Sequence, residues 1–258
     1  MAQTPAVAPA ITSSQAIPTE AANAKKARAV LDQAIQALGG QAYLNIHDMR
    51  QEGRTYGFSH GVPNGVGALY WRFWKFPDKD RIELTKQRDW IVIHNGAQGL
   101  ETTFRGTRAE DPADLAEFVR RRMYSLEFIL RRWLNQPGTA LFYDGATLAE
   151  RKQVEQVTIM NASNESVTLF IDSHTHLPVK KTYSLRDPAS REHDEEGEIY
   201  DNYRPEQGIN TPHSVARSHN GELVSERFIR TITYNTGLAD SLFTATINYD
   251  PNKAPRKK

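Results

Sequence analysis

The stretch from Asp111 to Asn135, DPADLAEFVRRRMYSLEFILRRWLN, constrains this chain more than any other. It is a long helical pattern set between segments that read as strands. Asp111 ahead of Pro112 is a start signal, because a capping carboxylate accepts a first-turn N–H and proline is tolerated at the first helical position. Asn135-Gln136-Pro137-Gly138 is the stop. At about 100° per residue, Leu115, Phe118, Val119, Met123, Leu126, Ile129, Leu130, Trp133 and Leu134 fall in one stripe about 160° wide. Arg122 projects within that apolar stripe, whereas Tyr124 and Phe128 project from the charged face with Glu117, Arg120, Arg121, Glu127, Arg131 and Arg132. A buried arginine needs a partner. Arg122 is therefore expected either to reach a sheet carboxylate or the sheet edge, or to face a cavity and meet the polar head of a ligand.

The rest of the sequence supplies a sheet for this helix to lie on. A first helix is expected from Thr19 to Leu38, capped by Thr19 and ended by Gly39-Gly40. Strands follow at 46–58, 67–76, 81–86, 89–94 and 100–104, and after the central helix at 140–143, 153–160, 166–172, 179–185, 198–203, 211–218 and 223–234, with a last short element at 238–243. The strand GALYWRFWKF carries large rings on both faces, so neither face is expected to be fully solvated. Short Gly- and Asn-rich connections predict antiparallel meanders. A sheet of about eleven strands curls rather than staying flat. The expected architecture is α+β: an incomplete, curled antiparallel β-barrel whose concave face is covered by helices. One domain is expected over 19–247, with its helical cover at 111–135, a flexible Ala/Pro/Ser/Thr-rich leader over 1–18 and a disordered basic tail over 248–258.

Composition excludes several classes. Net charge is +1 with acids and bases interspersed, which does not favour nucleic acid. No apolar run approaches a membrane span, and the chain has no cysteine. The first residues lack the basic and apolar regions of an intact signal peptide. His174-Thr175-His176 and His193-Asp194-Glu195-Glu196 offer metal-ligand chemistry, but without an HExxH or CxxC arrangement they read as solvated turn residues. There is no G-x-S-x-G elbow and no phosphate loop, so no catalytic residue, cofactor or metal is expected.

GALYWRFWKFPDKDRIEL, a hairpin around HNGAQG, a helical insertion, VTLFIDSHTHLPVKKTYSL and a closing SLFTATI together resemble the periplasmic lipoprotein-carrier superfamily (LolA/LolB-like). The pattern Asp172, Thr175, Leu177, Pro178 and the run Asp201-Asn202-Tyr203-Arg204 before Gly208-Ile209 are similar to those of outer-membrane lipoprotein-sorting proteins. The resemblance implies a half-barrel with helices lidding an apolar cavity, and a periplasmic or secreted protein that binds a lipid, a lipoprotein acyl chain or another apolar ligand. It also implies a latching arginine where this chain has Phe76, a departure that leaves Arg72 or Arg122 as possible replacements. The expected lining is Tyr70, Arg72, Trp74, Phe76, Leu115, Phe118, Arg122, Met123, Leu126, Ile129, Leu130 and Trp133, of which the apolar and aromatic members would otherwise form plain core. The alternative function is an envelope protein-interaction module contacting a partner through Tyr124 and Phe128.

Overall fold

The computed structural model describes residues 19–186 and 193–254. Two meanders share one sheet. The first comprises β1 (Asp48–Ser59), the two-residue β2 (Val62–Pro63), β3 (Ala68–Lys75), β4 (Lys79–Leu84), β5 (Trp90–Asn95), β6 (Gln98–Thr103) and β7 (Gly106–Ala109). The second comprises β8 (Ala140–Ala149), β9 (Lys152–Met160), β10 (Ser166–Asp172), β11 (Pro178–Arg186), β12 (His193–Glu206), β13 (Ile209–His219) and β14 (Glu222–Tyr234). All paired neighbours are antiparallel, and the spatial order is β7-β6-β5-β4-β3-β1-β14-β13-β12-β11-β10-β9-β8, with β2 on β1. β1 joins the meanders through β14, with Met49 opposite Tyr234 and a register shift at Glu52/Gly53. The sheet is thus open, and its edges are β7 and β8. The fourteen described strands exceed the twelve predicted segments by β2, which lies between the predicted strands 46–58 and 67–76, and β7, too short and polar to show an alternation.

Both edges are covered, as exposed edges must be to avoid pairing with other chains. On β8, the Asn23 side chain donates to Tyr143 O and accepts from Tyr143 N, both at 2.8 Å. On β7, Asn248 N donates to Thr107 O at 3.0 Å and Asp250 N to Arg105 O at 2.9 Å. Residues 248–250 are therefore part of the fold and not of a disordered tail. The predicted leader and the last four residues of the tail lie outside the described residues.

Helix α1 (Glu20–Leu38) is capped by the Thr19 hydroxyl and stopped by Gly39 at φ 127°. Its buried residues, among them Ala27, Leu31, Ala34 and Leu38, follow a helical spacing and face β8, β9 and β13. A short helix, α2 (Gln41–Leu44), leads into β1. Because β7 and β8 are opposite edges, the chain between them has to cross the concave face. The predicted single helix makes that crossing in pieces: α3 (Pro112–Met123), α4 (Leu126–Arg131) and a 3₁₀ turn (Trp133–Asn135). The break has a local cause. Ser125 is extended at φ −66°, ψ 148°, and its hydroxyl accepts from Phe128 N, so it caps a second helix. Tyr124 closes the first, and its carbonyl accepts a hydrogen bond from the buried Lys181 amine.

The main core lies between α1, α4 and β9–β14. A smaller cluster of Ile93, Leu238 and Phe243 sits on the opposite face, under a closing 3₁₀ turn (Asp240–Phe243). The rings on both faces of β3 are accordingly covered, Trp74 by the main core and Phe73 by this cluster.

Candidate ligand-binding site

A cavity of about 270 Å³ opens between the α3–α4 crossing and the concave faces of β1, β3, β4 and β12–β14. Leu38, Met49, Trp74, Leu126, Ile229 and Ile232 supply its apolar wall. It adjoins a polar cleft of about 550 Å³, and Arg121 and Arg217 line both spaces.

Of the twelve residues expected to line the site, Arg72, Trp74, Phe118, Arg122 and Leu126 meet around this cavity. The others do not. Tyr70 is buried beside it, its hydroxyl donating to Gln51 Oε1 at 3.2 Å. Ile129, Leu130 and Trp133 are 0%, 0% and 1% exposed and belong to the solid core. Leu115 sits over Gly99 of β6, and Met123 is 38% exposed. Phe76 packs against Trp74 and Phe128 outside the lining. One cause underlies most of these departures: the turn at Tyr124-Ser125 breaks the helical phase, so residues on its two sides no longer share a stripe.

The same turn sends Tyr124 inward. It is 3% exposed, stacked on Tyr183 at 4.1 Å and edge-on to Trp133 at 5.2 Å. Phe128 is partly buried against the core. The partner-contact surface expected from these two residues is therefore absent.

Neither arginine expected at a ligand head is free. Arg72 makes a two-pronged bond to Asp80, with Nε at 2.9 Å and Nη2 at 2.5 Å from Oδ2. Arg122 Nη1 donates to Asp78 O at 3.1 Å and Gly96 O at 3.0 Å, which ties α3 to two sheet turns. Below the helix break, Lys181, 1% exposed, pairs with Glu198 at 2.9 Å, and Glu198 also accepts from the Tyr200 hydroxyl at 2.6 Å. Burial alone would raise the Glu198 pKa; the Lys181 charge and the two hydrogen bonds outweigh it and bring it down to about 2. At the start of α3, His94 lies 2.8 Å from Glu110 and stacks under Phe118 at 3.5 Å. Burial holds His94 at about 4, and burial with Asp114 and Glu101 nearby pushes Glu110 up to about 7.

No family model matches the sequence, and no curated protein does. Solved structures match the fold. A DUF1329 family protein from Desulfovibrio piger superposes with a TM-score of 0.58 at 13% identity, over 84% of this chain and 97% of that one. An outer membrane lipoprotein-sorting protein domain from Vibrio parahaemolyticus gives 0.58 at 12% identity over 86% and 97%, and a LolA superfamily protein from Nitrosomonas europaea 0.53 at 13% over 85% and 97%. The chain shares the fold of these three proteins.

Within this fold, the position where the resemblance implied an arginine is a receiving surface. The Arg131 guanidinium of α4 lies 3.8 Å over the Phe76 ring, so the cation comes from the helix and the aromatic from the sheet. Sequence reasoning missed Glu198, Arg217 and Arg227, which line the cavity from β12–β14, and Lys181 of β11, which is buried against Glu198. Arg217 pairs laterally with Glu198, and Glu198 with Lys181, across three strands. Alternation along each strand hints at which residues share a face, but the register that aligns them is a long-range property. Among the described residues, no group of three or more His, Cys, Asp or Glu is placed to hold a metal ion, and no helix is long and apolar enough to cross a membrane.

Proposed function

We propose that this protein is a carrier or sensor of the cell envelope that holds a lipid, an acyl chain or another apolar ligand between the α3–α4 crossing and the sheet. The observation that carries the reading is the cavity of about 270 Å³ between the crossing and the sheet, with Leu126, Trp74 and Ile232 in its wall. The fold shared with a LolA superfamily protein and a lipoprotein-sorting domain supports both the ligand class and the envelope setting. The volume narrows the choice. At about 30 Å³ each, about nine water-sized groups fill it, just below the range of about 300–1,000 Å³ usual for small-ligand sites. That suits one short chain or the end of a longer one. At about 0.8 kcal/mol per buried methylene, eight methylenes contribute about 6 kcal/mol, enough to bind without a strong polar contact.

Native mass spectrometry and solvent extraction of the purified protein, with and without added decanol, test this. The expected result is a one-to-one adduct that Leu126→Trp abolishes by filling the space while melting remains cooperative. Protein that stays empty and takes up no decanol overturns it.

A further inference from the structure

The cavity wall carries five arginines and three carboxylates, an excess of cations in a space otherwise suited to hydrocarbon. Four of the arginines are used: Arg72 on Asp80, Arg122 on two backbone carbonyls, Arg121 on Glu117 and Arg217 on Glu196 at 3.4 Å. Arg227 is the exception. Among the described residues it makes no hydrogen bond and no ion pair, and its Nε is shut off from solvent without an acceptor. A buried, unpaired donor of a charged group is costly, and the cost is removed by an acceptor that arrives with a ligand. Glu127, a carboxylate of the same wall, is also unpartnered, but it strands no oxygen in this way.

The surroundings of Arg227 are graded along one strand. The positions of β14 that line the two spaces run from Ser225, in the outer cleft, through Arg227 to Ile229, Ile232 and Tyr234 in the cavity. On β13, Arg217 likewise lies on the cleft side of Val215 and Thr211. Cations therefore stand where the cleft meets the cavity, and hydrocarbon lies beyond them. A molecule entering through the cleft with its chain leading would leave its head beside Arg227 and Arg217.

We propose that the site selects an anionic single-chain amphiphile, a carboxylate or phosphate head on an alkyl tail, with Arg227 binding the head and the Ile229–Ile232–Tyr234 side holding the tail. This rests on the carrier reading above and specifies its ligand.

Titration calorimetry with decanoate, decanol, decyl phosphate and inorganic phosphate separates the two ideas. The wild type should bind decanoate and decyl phosphate at least about tenfold more tightly than decanol, in line with the strength of hydrogen bonds to charged groups, and inorganic phosphate not measurably. Arg227→Gln should remove that preference while changing decanol affinity less than about twofold, and Arg227→Lys should restore part of it. Glu127→Gln should leave decanoate binding unchanged or tighten it. Equal binding of decanoate and decanol by the wild type overturns the head-group assignment and leaves the carrier reading standing. Phosphate binding as tight as decyl phosphate overturns the tail assignment. A Glu127→Gln loss as large as that of Arg227→Gln also overturns the assignment, and no binding of any chain overturns both ideas.

Discussion

Helices α3 and α4 come from one uninterrupted amphipathic pattern and meet opposite fates. None of the twelve residues of α3 is buried, whereas Leu126, Ile129 and Leu130 of the six-residue α4 are 5%, 0% and 0% exposed. α3 is held by directional contacts, namely the Arg122 bonds to the turns at Asp78 and Gly96 and the stack of Phe118 on His94. α4 is held by packed volume. Periodicity thus shows which side of a helix is apolar, but not how deeply that side is driven in. For a ligand, α4 is the fixed wall of the cavity and α3 the side that can be displaced at lower cost.

The largest test of this contrast is its boundary. Lys181→Met strands Glu198 without its partner and leaves the Tyr124 carbonyl unanswered, so a loss of about 4 kcal/mol is expected, as for other broken buried pairs. Urea denaturation reads it as a lower midpoint at unchanged slope. A loss under about 1 kcal/mol would mean that the helix break is not pinned there. Next, Ile129→Ala should cost about 3 kcal/mol through the cavity it leaves, and Leu115→Ala less than about 1 kcal/mol; equal costs would erase the distinction. Hydrogen exchange should then find α3 amides opening at least about tenfold more readily than those of α4, since few buried contacts protect them.

Two smaller effects depend on pH. With Glu198 at about 2 when folded and an ordinary carboxylate value when unfolded, its contribution is fully present above the unfolded value and is lost as pH falls toward 2. Acid titration of the wild type against Lys181→Met should show the dependence only in the former. Glu110 has the opposite sign. Its folded pKa of about 7 means that the stability tied to its protonated form is present in acid and declines as pH rises toward 7, while His94, held at about 4, carries no compensating charge. α3 exchange, corrected for intrinsic rates, should accelerate between pH 5 and pH 8 in the wild type and stay level in Glu110→Gln.

Much of the sheet is legible in the sequence because each turn announces itself locally. Gly39-Gly40, Asn95-Gly96 and Asn220-Gly221 each end an element where the structure ends it. The helix break had a signal too: Ser125 followed by an acidic first turn is a second start. It was masked because Leu126, Ile129 and Trp133 continue the apolar period begun by Leu115 and Phe118. The site was less legible. Arg72 and Arg122 stand out as charges in apolar surroundings, but only the register of β3 against β4 and the position of α3 over the turns show that both are already partnered. Arg227 reads as one charge in an alternating strand, and its missing partner exists only in three dimensions.

The β1–β14 pairing has a consequence for synthesis. The strand that zips the two meanders together is made after the other thirteen described strands, while its partner β1 is made first among them. Until then each meander presents an unpaired inner border, and assembly through such distant pairings is intrinsically slow. A nascent chain of this kind stays unfinished and adhesive until β14 is made.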